Sequence, residues 1–78
     1  MDAERFAAIL PIVVGGLLNT IIKEMPVSED EAFERLYGSE LYTELENEET
    51  KVWTYSTSKL FYLFSEEIRT GKLELPEY

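Results

Sequence analysis

The sequence predicts a small all-α domain of three to four helices, and three observations carry this prediction. Seventeen consecutive residues, Phe6 to Ile22, contain no charge and have apolar side chains over most faces of a helix. Later segments have apolar residues at helical spacing, and each follows a serine that can cap a helix. The chain has 78 residues, of which 45% are hydrophobic, so it is long enough for one domain with a modest core.

The first predicted element is a nearly all-apolar helix over about residues 4-24. We expect it to form the hydrophobic centre of the domain, with the two aromatic-bearing segments packed over it. Pro11 lies inside the pattern and removes a backbone donor, so we expect a kink or a restart of the helix there. If the helix restarts, its main part runs from about Pro11 to Glu24, after a short helix capped by Asp2.

This helix is also predicted to contact a second copy of the chain. Its ten large apolar side chains are spread too widely for one small bundle to cover, and a two-fold contact is the commonest closed solution. Gly15 and Gly16 lower helix stability, which indicates either a close approach of another backbone or a flexible joint. The candidate residues for self-association are Val14, Gly15, Leu18 and Ile22.

A membrane anchor formed by Phe6 to Ile22 is the alternative interpretation of the same run. The run is shorter than the roughly 20 apolar residues that cross a bilayer, and its flanks carry no strong positive bias. The acidic start, Met1-Asp2-Ala3-Glu4, is unlike the basic start of a secretory signal. The chain also has no cysteine. We therefore favour a buried helix in a cytoplasmic protein.

Acidic helices are predicted over about residues 29-46. Pro26 ends the first helix, and Ser28 is the predicted N-cap of the second. The Ser28 hydroxyl can accept from the Glu31 amide while the Glu31 carboxylate reaches back, as in a capping box. We expect this second helix to end at Gly38, in the left-handed conformation that glycine tolerates best.

Ser39 can cap a short third helix over Glu40 to Glu46, although the second and third helices could also form one bent helix. After a polar break, Lys51 to Tyr55 is the only interior segment with strand-like composition. The short C-terminal tail, about residues 72-78, alternates weakly and could pair with it. A lone short strand has little else to pair with, so we do not favour this pairing.

The last predicted helix, over about residues 57-70, is rich in aromatic residues. It follows the capping run Ser56-Thr57-Ser58 and is expected to end at Gly71. Half of the ten aromatic residues of the chain lie within twelve positions here, and we interpret them as core packing rather than as an exposed binding patch. Trp53 in particular is expected to be mostly buried. The candidate residues of this aromatic core or anchor are Trp53, Tyr55, Phe61 and Phe64.

The segment from Leu36 to Phe64, LYGSELYTELENEETKVWTYSTSKLFYLF, combines a Leu-Tyr repeat, an acidic bend that leads into Thr-Lys-x-Trp, and a Ser/Thr-capped aromatic helix. In this arrangement the chain resembles short uncharacterised bacterial helical proteins, a domain of unknown function. The resemblance implies a small bacterial domain. It implies no catalytic residue and no ligand.

The composition argues against an enzyme. The chain has neither histidine nor cysteine, so the commonest general base, the usual transition-metal ligands and the thiol nucleophile are missing. Gly15-Gly16 lacks the lysine and the spacing of a phosphate-binding loop. We therefore predict no catalytic residue, no cofactor and no metal. The net charge of -9 also opposes direct binding to nucleic acid.

The middle third of the chain is strongly acidic, with nine acidic residues and one basic residue between Ser28 and Thr50. A solvated face is one interpretation of this charge, and a docking surface for a basic protein partner is another. A calcium site is less favoured because the loop pattern is missing. The candidate partner surface consists of Glu44, Glu46, Glu48 and Glu49.

Together these patterns favour a non-catalytic protein-interaction module that self-associates, most simply as a homodimer. Two alternatives stay open at this point. One is a small membrane-associated protein, and the other is an antitoxin-like or nucleic-acid-mimicking inhibitor of a basic partner.

Overall fold

The computed structural model describes residues 3 to 74, which fold into four α-helices and two short 3₁₀ turns without a strand. The predicted all-α fold with a long apolar N-terminal helix is confirmed. The helices are α1 (Ala3–Glu24), α2 (Glu29–Tyr37), α3 (Glu40–Glu46) and α4 (Thr57–Thr70), and the 3₁₀ turns are Glu48–Thr50 and Val52–Thr54.

Helix α1 runs without interruption through Pro11, so of the two expected alternatives, a kink or a restart, the restart is wrong. A proline inside a helix costs about 3 kcal/mol, because it removes one backbone hydrogen bond and its ring crowds the preceding turn. Burial of the apolar face of α1 offsets this cost: Val14, Leu17, Leu18 and Ile21 are all buried. The suggested cap at Asp2 lies outside the described residues.

Serine caps begin the other three helices. The hydroxyls of Ser28, Ser39 and Ser56 accept from the backbone amide three residues later, at 3.2, 3.1 and 3.2 Å. Because Ser39 starts a new helix, α2 and α3 are two helices and not one bent helix. The cap predicted at Ser28 is confirmed.

The two glycines that end helices behave differently. Gly71 has φ 83° and ends α4 in the left-handed conformation. Gly38 ends α2 with φ -88°, so its expected left-handed conformation is wrong. A Cβ atom at Gly38 would lie only 3.2 Å from the Glu34 carbonyl oxygen, and this close approach gives a reason for glycine there.

The segment with strand-like composition forms a 3₁₀ turn instead, over Val52–Thr54. Local hydrogen bonds hold this turn, since the Thr50 hydroxyl donates to the Glu44 carbonyl at 2.7 Å and the Trp53 indole N–H donates to the Glu48 carbonyl at 2.9 Å. The suggested pairing with the tail is absent from the residues described, which stop before position 75.

The core lies where α1 packs against α4 and α2. It covers the C-terminal half of α1 better than the N-terminal half, in which no side chain before Val14 is buried. Among the described helices, α1 alone is long and apolar enough to cross a membrane, with a mean hydropathy of 1.9 over 18 residues of which 22% are buried. Core helices of soluble proteins and signal sequences meet the same criteria.

Candidate binding groove

Three of the four residues predicted for self-association lie together at an open groove beside α1. Val14 and Leu18 form part of its floor, and they are only 7% and 8% exposed within a single chain. Gly15 lies at its edge. Ile22 is half-buried against the core and does not line the groove.

The groove runs between α1 on one side and α2 with α3 on the other, and we call it the apolar groove. It encloses about 310 Å³, near the lower limit for small-molecule pockets. Its lining is almost entirely apolar or aromatic. The lining residues are Leu10, Pro11, Val14, Gly15 and Leu18 of α1, Phe33 and Tyr37 of α2, and Tyr42 of α3.

One wall of the apolar groove is a cluster of three aromatic rings. Phe33 and Tyr37 lie one turn apart on α2 and stack, with ring centroids 5.5 Å apart and an angle of 18° between the planes. Tyr42 meets Tyr37 edge to face at 4.6 Å. Tyr37 itself is 46% exposed, so the wall presents aromatic surface to the solvent.

Contacts between distant helices hold Tyr42 in this wall. The Glu67 carboxylate of α4 accepts from the backbone amides of Glu40 and Leu41 at 2.8 and 3.0 Å, and so caps the start of α3. In return, the Glu40 carboxylate accepts from the Leu73 amide at 3.3 Å. We call these contacts the α3–α4 clasp. The clasp fixes the first turn of α3, from which Tyr42 projects.

Gly15 leaves one edge of the apolar groove open. Apart from the backbone of α1 itself, a Cβ atom built there would have nothing within 4 Å among the described residues, whereas a Cβ at Gly16 would lie 3.5 Å from the Thr57 hydroxyl of α4. Among residues 3 to 74, therefore, no backbone from outside α1 approaches the Gly15-Gly16 pair closely. A Cβ atom at position 15 therefore has space among the described residues, and we expect a larger side chain there to extend over the groove.

The charges around the apolar groove are unevenly distributed. Desolvation by burial raises the pKa of the Tyr42 phenol, and the negative charge of Glu46 raises it further. On α2, Asp30 and Glu34 are exposed and lie three residues before Phe33 and Tyr37, so they share a helix face with the aromatic wall. On the α1 side the exposed residues beside the groove, Pro11 and Ile12, carry no charge.

The four carboxylates of the candidate partner surface belong to two elements. Glu44 and Glu46 lie on α3, and Glu48 and Glu49 belong to the 3₁₀ turn that follows. Glu46 and Glu49 are exposed, and Glu44 and Glu48 are half-buried. Within residues 3 to 74, no three carboxylates are grouped so that they could hold a metal ion.

The candidate aromatic residues pack on or in the core. Phe64 is fully buried, and Trp53, Tyr55 and Phe61 are half-buried against the buried cluster. Trp53 is therefore mostly buried, as expected, although it is not fully buried. Its ring meets Phe6 edge to face at 5.5 Å, and the Lys51 ammonium lies 5.9 Å from its centroid.

Phe33, Tyr37 and Tyr42 are not among the candidate site residues predicted from the sequence. One signal could have identified them: Phe33 and Tyr37 are four residues apart, as are the buried Ala32 and Leu36 beside them. With this aromatic stripe beside the core stripe, the apolar face of the helix becomes wider than a small bundle can cover. The role of Glu67 had no such signal, because it lies 26 and 27 residues from the amides that it caps.

Comparison with known protein families, with curated proteins and with solved structures finds no match for this chain. The resemblance of Leu36 to Phe64 to short bacterial helical proteins therefore stays a prediction. Any assignment of function rests on the geometry of the apolar groove and on the charges around it.

Proposed function

We propose that this chain is a non-catalytic protein-interaction module that binds a helical segment of a protein partner in the apolar groove. The observation that carries the proposal is the open, aromatic-walled groove along α1, whose glycine edge leaves room for another chain. An amphipathic helix that lays its apolar face in a hydrophobic groove is a recurrent mode of recognition.

The dimensions of the apolar groove suit this kind of ligand. Its α1 side extends from Leu10 to Leu18, eight steps along the helix, or about 12 Å at 1.5 Å per residue. That length matches about two turns of a docked helix, which present three or four apolar side chains. The exposed aromatic wall supplies the large, rigid contact surface that dominates many protein interfaces.

The polar groups of the apolar groove support a role in binding rather than in catalysis. They are the phenols of Tyr37 and Tyr42, and desolvation by burial, with the charge of Glu46, raises the pKa of Tyr42. A protonated phenol can donate or accept a hydrogen bond but is a poor general base. No histidine or cysteine occurs anywhere in the sequence to replace it.

Self-association through α1 stays a prediction, and part of its basis is weaker in the folded chain. Val14 and Leu18, two of the four residues assigned to the contact, are almost completely covered by their own chain. A second copy would meet the aromatic wall, Gly15 and the exposed Pro11 instead. Light scattering at tens of micromolar tests this contact, because it measures whether the chain is a monomer or a dimer. At this concentration it detects dissociation free energies of about 7 kcal/mol or more.

A peptide titration tests the proposed groove. The probe is a peptide of about fifteen residues, roughly 22 Å long as a helix, with leucines at helical spacing. Amide shifts in a ¹⁵N spectrum should change around Val14, Phe33 and Tyr37. The Gly15→Leu variant fills the groove from a position with free space, and we expect it to weaken binding about tenfold or more.

The matched control is Asn19→Leu, which adds the same side chain to an exposed position of the same helix outside the groove. This variant should bind the peptide as the unmodified chain does. Shifts that scatter over the whole domain, or equal binding by the Gly15→Leu and unmodified chains, would contradict the proposal.

A second candidate function is attachment to a membrane surface, and the poor coverage of the N-terminal half of α1 favours it. Ile12 is 74% exposed there, and it points away from the core. Flotation with lipid vesicles tests this alternative. If it holds, Ile12→Glu should release the chain from vesicles, because a charge in the apolar phase is costly, while Gly15→Leu should not.

A further inference from the structure

We infer that the partner of the apolar groove is an amphipathic helix that carries lysine or arginine beside its apolar stripe. This inference rests on the proposed function and adds the charge of the partner to it. The unequal charges of the two rims of the groove carry the inference.

The rim formed by α2 and α3 is acidic. Asp30, Glu34 and Glu46 are exposed, and each lies three or four residues along its helix from a ring of the aromatic wall. Glu46 is close enough to Tyr42 to raise the pKa of its phenol. The one basic residue between Ser28 and Thr50 is Arg35, and its guanidinium pairs with Glu31 at 3.3 Å.

The rim formed by α1 is uncharged. Pro11 and Gly15 lie at the groove itself, and Ile12 follows on the exposed face. The basic residues of α1, Arg5 and Lys23, lie five positions before and after the ends of the groove. A ligand helix in the groove would therefore face negative charge along one side and apolar surface along the other.

This asymmetry fits an apolar stripe with basic residues on one flank. The stripe would pack on α1 and the aromatic wall, and the basic flank would face the acidic rim. A second copy of the chain fits less well, since it brings a net charge of -9 toward the same acidic rim. A ligand with acidic flanks is opposed for the same reason.

Two peptides with the same leucine pattern test the charge of the partner. One has lysine at the flanking positions and the other has glutamate, and fluorescence anisotropy measures their dissociation constants. We expect the lysine peptide to bind more tightly by about tenfold at low salt, and the difference should shrink as the ionic strength rises.

Two double variants separate the rim from the general charge of the chain. Glu34→Lys with Glu46→Lys reverses the rim, and both replacements fall in the last turn of a helix, where a positive charge suits the dipole. Glu49→Lys with Glu74→Lys changes the net charge equally at exposed positions that do not line the groove. Circular dichroism confirms that each variant is folded.

We expect the rim variant to weaken binding of the lysine peptide about tenfold, and the control variant to weaken it by about twofold or less. Equal weakening by the two variants would overturn the inference, because the attraction would then come from the whole chain. If both peptides bind equally and Gly15→Leu abolishes the binding of both, the inference is overturned and the proposed function stays in place.

Two further outcomes affect both levels of the proposal. If Gly15→Leu leaves the dissociation constants of both peptides unchanged, the groove is not the binding site. The proposed function then fails together with the inference. If light scattering shows a dimer that Gly15→Leu converts to a monomer, a second copy fills the groove, and the basic partner is overturned while an interaction module remains.

Discussion

Gly15 lowers the stability of α1 but keeps the edge of the apolar groove open, so stability and the proposed function favour different residues at this position. It lies inside α1, where glycine is about 1 kcal/mol less favourable than alanine. Between residues 3 and 74, no atom outside the α1 backbone lies within 4 Å of a Cβ atom built there. We expect Gly15→Ala to raise the free energy of unfolding in urea by about 1 kcal/mol.

The control is Gly71→Ala, at a backbone conformation with φ 83° that alanine adopts with strain. This variant should lower the free energy of unfolding by about 1 kcal/mol. A loss of stability on Gly15→Ala would show that the groove edge closes in solution.

Glu66 and Arg69 form a two-pronged ion pair on α4, with distances of 2.8 and 3.0 Å. The hydrogen bond from Arg69 lowers the pKa of the Glu66 carboxyl. Because this pKa is lower in the folded chain than in the unfolded chain, the pair adds stability above the unfolded-state pKa. That contribution is lost as the pH falls through the folded-state pKa.

We therefore expect Arg69→Gln to raise the pKa of Glu66 toward its ordinary value, as measured by NMR titration of the side-chain carboxyl carbon. Arg35→Gln is the control, since Arg35 pairs with Glu31 on another helix. An unchanged pKa of Glu66 in the Arg69→Gln variant would mean that the pair does not persist in solution.

At the scale of elements, the α3–α4 clasp joins two helices that the sequence separates. The Glu67 carboxylate caps two backbone amides at the start of α3, and loss of a helix cap costs about 1 to 2 kcal/mol. We expect Glu67→Ala to lower the free energy of unfolding in urea by this amount, and to weaken peptide binding through displacement of Tyr42.

The neighbouring variant Glu66→Ala removes a carboxylate of the same helix that makes only surface contacts, and it should change stability little. Glu67→Gln keeps one oxygen acceptor and should fall between the two. If Glu66→Ala and Glu67→Ala are equally stable, the clasp contributes nothing to the fold.

Local chemistry explains which elements could be predicted from the sequence. The cap at Ser28 depends on residues within one helical turn, so its pattern is visible in the chain itself. The strand-like segment around Val52 depends on what could pair with it. Without a partner strand among residues 3 to 74, hydrogen bonds to nearby carbonyls decide its conformation.

The residues predicted for the candidate site lie on its α1 side. Apolar density around Val14 and Leu18 indicated a binding face because those side chains outnumber what a small bundle can cover. Which of them stay open depends on where α2 crosses α1, and no local pattern gives that angle. The aromatic wall was missed because Tyr42 reaches it from a different helix.

At the scale of the whole molecule, charge repulsion should be measurable. Sixteen acidic residues oppose seven basic ones, and like charges destabilise a compact state unless salt screens them. We expect the melting temperature to rise between low ionic strength and about 0.15 M salt, where the screening length is about 8 Å.

The rim variant Glu34→Lys with Glu46→Lys carries less net negative charge, and its melting temperature should rise less with salt. A melting temperature that falls with salt would mean that attractive ion pairs, such as Arg35 with Glu31, outweigh the repulsion.

The packing of α1 on α4 has a consequence for the synthesis of the chain on the ribosome. Helix α1 buries its apolar face largely against α4, which begins more than thirty residues after α1 ends. At about 5 to 20 residues per second, a ribosome needs roughly two to seven seconds to make that intervening stretch. During this interval α1, the most apolar segment, has no α4 to pack against. Nascent α1 should therefore be a good substrate for ribosome-associated chaperones until α4 emerges.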